Sequence, residues 1–391
     1  MEYSLIHRYW MIIVRECREL VSRPMYLITM VLVPVFLAIF FLSLMDSGTP
    51  TDMPVATVDN DNTKTSRNII HTLDAFKANE VVFHAKDFNE ARQAMKKGEI
   101  YGIYYIPNNF EKNLLAFRQP TVSFYTNSAF LIPGSLLMSD MKTMSVLSQA
   151  AVGKSVLEAK GATKEQVTAI LQPIAVDCHP IGNPWLNYSV YLNNILLPGI
   201  YNILIMILTV YILGQEVKLG KSRGLLRIAH NDIGVAITAK LIPITALLTL
   251  MTIAMDVVLY KYLGFPCKCG IGQMMINSFL LVISSQSMAI FYFGLIPITR
   301  YSLSMAAFWS VLSISLSGFT FPVSAMHPTL QMWANFFPLH PYFNLYVDQA
   351  LNGRSLYYTW INYVLMLIMT LLPIFVMPNL RRAYREMKYI P

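Results

Sequence analysis

Charge is what this chain has least of. Only 13% of its 391 residues are Asp, Glu, Lys or Arg, about half the roughly one quarter carried by a soluble domain. With 55% hydrophobic residues and a mean hydropathy of +0.46, much of its surface must face something other than water. Cysteine is scarce too. The four are Cys17, Cys178, Cys267 and Cys269. Cys267-Lys268-Cys269 is too sparse for a zinc site, and no His stands at ligand spacing. His179, His327 and His340 each adjoin a proline, far apart, with no plausible nucleophile or paired carboxylates among them. The sequence therefore points to no catalytic residue, no metal and no cofactor. Nor does it carry a phosphate-binding loop. Such a loop needs four residues between its glycines so that backbone amides can wrap phosphate. Gly214 and Gly220 have five between them, and the second Gly-Lys-Ser, beginning at Gly153, has Ser148 where the first glycine belongs.

What the chain does have is six long apolar segments, at residues 25–45, 195–213, 241–260, 274–296, 303–322 and 359–378. Each is near the 17–25 residues that a spanning helix needs. The first reads as a retained span and not a cleaved leader, since a basic amphipathic stretch precedes it and no small-x-small site follows. The expected fold class is an α-helical polytopic membrane protein with six transmembrane helices. Orientation follows from Lys and Arg in short flanks. Fourteen lie before span one, between spans two and three, between four and five, and after six. Only Lys261, Lys268 and Arg354 lie in the short loops opposite. Both termini are therefore expected in the cytoplasm. The net charge of +8 is a topology signal and a grip on anionic lipid, not a footprint for nucleic acid.

Residues 46–191 are then an extracytoplasmic domain inserted between spans one and two. Strand patterns at MPVATVDN, EVVFHA, IYGIYYIP and TVSFYTN alternate with helical patterns near 63–78, 88–97, 130–160 and 164–171. That alternation predicts a small α/β layer structure, with IAVDCHP as a candidate return to the sheet. Asp59-Asn60-Asp61-Asn62-Thr63 lacks the Gly and closing Glu of a calcium loop. It reads as a strand end followed by a helix cap, with Ser66 nearby.

Residues 1–24 predict an amphipathic helix in the membrane interface. Tyr3, Ile6, Trp10, Ile13, Val14, Cys17, Leu20 and Val21 form one face; Ser4, Arg8, Arg15, Arg18, Glu19 and Ser22 form the other. Arg23-Pro24 ends it. Within the spans, Asp256 is expected to pair with Lys261. The serines of 284–287 and of span five are expected to let helices pack closely. Cys178 can bridge to Cys267 or Cys269 if the outer compartment is oxidising, or all three can be free thiols.

Two segments carry a family likeness. In residues 215–240 stand Glu216, Gly220, Arg223, the Leu225-Leu226 pair and Lys240, with Pro243 following. In residues 317–353 stand Ser317-Gly318, Phe321-Pro322, Met326-x-Pro328, an aromatic patch with Trp333 and Phe337, and Asn352-Gly353. The order resembles the ABC-2 family, the membrane permease subunits of ATP-driven exporters, and in detail those with a long first outer loop found in bacterial envelopes. Lys221 stands where the family's usual Thr follows the Gly, and Ala229-His230 replaces a usual Pro. The resemblance implies that residues 1–24 are an elbow helix and that 215–240 couple a separate cytoplasmic ATPase to the membrane. Glu216, Gly220, Arg223, Leu225, Leu226 and Lys240 would serve that contact, the leucines as knobs for a partner groove. It also implies that residues 319–352 re-enter the outer membrane half, with Ser317, Gly318, Pro322, Trp333 and Phe337 as the gate. Leu330, Trp333 and Phe337 are placed on one helical face. The implied assembly pairs two permeases, identical or paralogous, with two ATPases in the bacterial inner membrane, among membrane lipids, with a periplasmic membrane-fusion protein as a further partner. The cargo would be amphipathic or hydrophobic. The rival reading is a membrane sensor or scaffold that binds ligand through its outer domain. It would call for a cytoplasmic output domain, and no inner segment here reaches thirty residues.

Overall fold

The computed structural model describes residues 4–116, 118, 120–159, 161–171, 182–183 and 187–386. The chain divides into two compact units, one of residues 1–46 with 180–391 and one of residues 47–179.

In the first unit, Ser4 caps helix α1, Leu5–Ser22, and Arg23-Pro24 breaks it. The helix has three faces, not two. Ile12, Glu16 and Leu20 are buried against the protein, while Ile6, Trp10, Val14 and Val21 are exposed. Arg8 is half-buried and Arg18 exposed. Five helices among the described residues are long and apolar enough to cross a membrane: α2 (Pro24–Leu44), then, beyond the second unit, Tyr188–Lys218, Ile233–Tyr262, Ile271–Leu295 and Leu356–Glu386. The fifth expected segment, 303–322, instead forms a 17-residue helix, Thr299–Ser315. It stops short because Gly318 takes φ +96°, a left-handed conformation that glycine adopts without a Cβ clash. Among the described residues, wide π turns interrupt three places, Ile28–Leu32, Val258–Tyr262 and Tyr346–Leu351. Helices approach closely where a side chain is missing. A Cβ on Gly214 would lie 2.3 Å from Thr299 Oγ1, and one on Gly294 would lie 2.4 Å from Val376 Cγ2.

The second unit holds strands β1 (Met53–Asp59), β2 (Asn79–His84), β3 (Gly102–Ile106) and β4 (Ser123–Thr126) in the order β2-β1-β3-β4. The first three are parallel and β4 is antiparallel to β3. Helices α3 (Lys64–Asp74), α4 (Phe88–Lys97), α5 (Phe110–Leu115), α6 (Leu131–Ala159) and α7 (Lys164–Leu171) accompany them. Alternation along β1 sends Val55 to a core with Ile69, Leu73, Leu137 and Met141, and Ala56 and Val58 to another with Ala91 and Ala94. Helices thus cover both sheet faces, as parallel strands require. Thr63 caps α3 in a box with Ser66. Asp59 accepts from the Asp61 and Asn62 amides, and Asp61 from the Phe110 and Glu111 amides, so these carboxylates organise turns. The candidate strand IAVDCHP lies outside the described residues.

Candidate functional site

The remaining helices of the first unit are α8 (Tyr188–Lys218), α9 (Ser222–Ile228), α10 (Ile233–Tyr262), α11 (Ile271–Leu295), α12 (Thr299–Ser315), α13 (Pro328–Ala334), α14 (Leu339–Leu345) and α15 (Leu356–Glu386). Helix α8 ends in a glycine turn. Gly220, at φ +67°, lets its own amide reach the Val217 carbonyl and the Lys221 amide reach the Glu216 carbonyl. This paired closure satisfies two terminal carbonyls. Helix α9 closes likewise, but with His230 at φ +53° and Asn231 at +66°, and the Asn231 amide on the Leu226 carbonyl. Asp232 then caps α10 through the Gly234 and Val235 amides. The chain between two long helices is therefore a small element with defined ends.

That element is bolted to α1 by charge. Lys240 Nζ donates to Glu16 Oε2 at 2.6 Å and to Glu216 Oε2 at 2.8 Å. Arg15 donates to the other oxygen of Glu216, and Lys221 to Glu19. The side chains of Lys240, Glu16 and Glu216 are only 2%, 4% and 1% exposed. Burial pushes the Glu16 carboxyl above its usual range, and Lys240 opposes that shift. The six groups balance in charge, three cations against three carboxylates. Three elements from distant parts of the sequence meet here.

Of the six residues expected to couple a partner, the structure joins Glu216 and Lys240 directly, and Lys240 also holds Glu16, which stands on neither of the two faces expected for α1. Gly220 supplies the turn beside them. The leucine pair needs correction. Leu225 is 0% exposed and Leu226 is 4% exposed within this chain, so they anchor α9 to its own bundle and are not free knobs. The outward face of α9 carries Arg223, Gly224 and Arg227. The end of α15 clasps the same helix. Ser222 Oγ donates to the Tyr384 carbonyl at 2.9 Å, Arg223 Nε to the Arg385 carbonyl at 3.1 Å, and Arg385 Nε to Asn231 Oδ1 at 3.1 Å.

At the opposite ends of the helices, Ser317 is buried and Gly318 turns the chain under Val323, Phe343 and His340. His340 Nδ1 lies 2.9 Å from the Ser317 carbonyl, and Tyr191 OH donates to the Phe319 carbonyl at 3.0 Å. Phe337 is buried, its ring stacked 4.5 Å from that of Trp309. Pro322 is exposed, and Trp333 and Leu330 are 53% and 44% exposed. The expected shared face of Leu330, Trp333 and Phe337 does not exist, because α13 ends at Ala334 and Phe337 lies beyond it. An amide network unforeseen from the sequence holds α11, the last π turn and α15 together. Asn277 Nδ2 donates to Gln349 Oε1 at 3.1 Å, Gln349 Nε2 to Thr359 at 2.8 Å, and Tyr363 OH to Asn277 Oδ1 at 2.7 Å.

Asp256 does not pair with Lys261. It is 3% exposed, while Lys261 is exposed. Cys267 and Cys269 are free, their sulfurs 3.9 Å apart, and Cys178 lies outside the described residues. Span serines bond back to their own helices or across them: Ser284 Oγ to the Leu280 carbonyl, and Ser285 Oγ to Asn202 Oδ1 at 2.7 Å.

Searches of curated proteins and of solved structures find no match for the chain. The sequence profile of the ABC-2 family transporter proteins matches residues 24–377, from the first residue of α2 into α15. With that match across nearly all of its length, and with five membrane-length helices among the described residues, the chain belongs to the ABC-2 family as a multi-pass transport permease.

Proposed function

We propose that this chain is the permease subunit of an ATP-driven exporter in the bacterial inner membrane, and that ATP is hydrolysed on separate cytoplasmic subunits. The observation that carries the reading is the buried Glu16–Lys240–Glu216 cluster. It welds the interfacial helix α1 to the facing ends of two long helices, so a push on α9 or α1 is delivered to α8 and α10 together. The exposed basic face of α9, Arg223 and Arg227, suits an acid-rimmed groove on the ATPase. Both termini lie in the cytoplasm in this reading, in keeping with the Lys and Arg bias of the flanks. Helix α12 makes the sixth crossing, short by design, with the turn at Gly318 completing it. The exposed Phe321, Met332, Trp333 and Phe336 would be a sticky patch in water, which supports placing this turn in the outer membrane half, against lipid or a second permease. Residues 47–179 stand outside and receive an amphipathic or hydrophobic cargo, or dock a periplasmic membrane-fusion protein. Cargo passes outward between two permease copies.

The test is reconstitution with the cognate ATPase. Reversing charge at Arg227→Glu, with Arg223→Gln to keep a donor toward the Arg385 carbonyl, should leave the permease folded and inserted, but strip the ATPase from it and stop efflux. Normal co-purification and normal efflux in that double variant would refute α9 as the ATPase contact.

A further inference from the structure

Cys267 and Cys269 stand together in the loop between α10 and α11. Backbone bonds set their geometry. The Lys268 amide, between the two cysteines, donates to the Ala350 carbonyl at 2.8 Å and ties the loop to the last π turn. The Gly270 amide reaches back to the Cys267 carbonyl at 3.3 Å, with Gly270 at φ +82°. The result is a tight turn with the two sulfurs 3.9 Å apart. Both cysteines are half-buried, while Lys268 and Gly270 beside them are exposed. The contact between the sulfurs holds the Cys269 thiol below its ordinary value and the Cys267 thiol above it. A thiolate, not a thiol, is the metal ligand.

The spacing discriminates between uses of the pair. A disulfide needs its sulfurs about 2.05 Å apart, roughly half of what the turn provides. A d10 ion such as zinc takes thiolate sulfur at about 2.3 Å, and two bonds of that length to sulfurs 3.9 Å apart enclose an angle of about 115°. One ion can therefore bridge the pair without moving the turn. No third His, Cys, Asp or Glu joins them among the described residues. Zinc is held by three or four protein ligands, so two are too few for it. Soft thiolates select copper(I), whose single charge two thiolates already outweigh. We propose that Cys267 and Cys269 form a two-thiolate site for a soft d10 monocation, copper(I) or silver(I), with the open side of the ion left for a ligand from solvent. The inference rests on the sulfur geometry, not on export, on any ATPase contact or on the orientation of the chain.

The test uses the purified full-length protein, reduced and kept anaerobic, with Cys17→Ser and Cys178→Ser so that the pair stands alone. Copper(I) is titrated against the chelator bathocuproine disulfonate, whose coloured complex fades as the protein takes the ion. One ion per chain should bind. Adding Cys267→Ser or Cys269→Ser should weaken binding by more than about 100-fold, beyond the roughly 10–100-fold cost of losing an outer-shell partner. Zinc(II) at the same concentration should not compete. A second measurement checks the spacing without copper. Phenylarsine oxide should form two As–S bonds to the pair, its oxygen leaving as water with the two thiol protons. Both thiols should then resist alkylation until a dithiol, not a monothiol, is added. Elution profiles and thermal unfolding matching wild type establish that each variant is folded. Copper(I) binding that survives either further change, or that is absent while the pair stands alone, would overturn the proposal. So would displacement of copper(I) by zinc(II), or free alkylation of both thiols after phenylarsine oxide. A disulfide from Cys178 to either residue, in wild-type protein isolated with its thiols trapped, would overturn it as well.

Discussion

Removing Lys240 should damage this protein more than removing any surface charge. Lys240 Nζ lies between Glu16 and Glu216 at 2.6 and 2.8 Å, with all three side chains almost fully buried. Lys240→Met keeps the length of the side chain but leaves two buried carboxylates that share only Arg15. Breaking a buried pair in this way costs about 3–5 kcal/mol, most of it the uncompensated charge. Lys240→Met with Glu16→Gln restores neutrality and should recover much of the loss. Replacing the three central residues together, Glu16→Leu, Lys240→Met and Glu216→Leu, leaves Arg15, 21% exposed, to Glu19 at 3.9 Å, and should be near neutral, since desolvation of three ions offsets their attraction. Thermal unfolding of the purified protein, followed by tryptophan fluorescence, ranks the four proteins. The single change should be worst, the double intermediate, and the triple near wild type. The reasoning fails if Lys240→Met unfolds no earlier than Arg223→Ala, or if the triple variant is the least stable of the set. Single changes at contacting residues do not add, so the order, not the sum, is diagnostic.

Leu225→Ala and Leu226→Ala should each cost about 2–5 kcal/mol as buried truncations, and so lower the yield of folded permease before they touch ATPase binding; full yield with lost ATPase would restore the leucines as partner knobs. For topology, cysteines at Asn89 and Asn127 should react with an impermeant thiol reagent in intact spheroplasts, while one at Arg227 should not; Ser222 is unsuitable because it is buried. The reverse labelling would overturn the expected orientation. At the outer turn, Gly318→Leu meets both a left-handed φ and the Val323 methyl, 3.2 Å from any added Cβ; efflux should be lost at matched membrane levels with the ATPase still bound, and full efflux would show that this turn is no gate.

The long helices were legible because twenty apolar residues in a row have few other uses. The α4 and α7 boundaries, at Phe88–Lys97 and Lys164–Leu171, were legible because Asp87, Gly98 and Thr163 punctuate them. Helix α12 was misjudged in length, since apolar composition continues past Ser315 while the backbone does not; Gly318 was the available signal. Glu16 was missed because a helix with two faces leaves a residue at their border unassigned. Its spacing from Ile12 and Leu20, four residues either way, marks a third stripe, and that stripe is the one that packs. The family likeness assigns Leu225 and Leu226 to a partner, as knobs on a short helix with a charged rim. Here α1, α10 and α15 surround it, and only tertiary structure supplies those walls. Asp256 and Lys261 were paired on sequence distance alone, whereas the intervening π turn, Val258–Tyr262, sends them in different directions.

The composition of the α1 junction has a mechanical consequence. Helix α1 shows apolar side chains to the outside, Ile6, Trp10, Val14 and Val21, and apolar side chains to the protein, Ile12 and Leu20. Apolar contact is non-directional, so two apolar stripes would let the helix roll between lipid and bundle at small cost. The Glu16 carboxylate has one place to go, against Lys240, and this fixes the rotation of α1 relative to α8 and α10. On this argument the cluster serves register more than stability, a use of buried charge that is attested in some proteins and absent in others. The triple apolar variant separates the two. If register is the role, it should match wild type in thermal unfolding yet lose the link between ATP turnover and efflux, and a nitroxide at Cys17 should report broadened rotation of α1. A triple variant that unfolds like wild type, holds Cys17 in one environment and exports at full rate would show that apolar packing alone sets the angle, and the register argument would be abandoned.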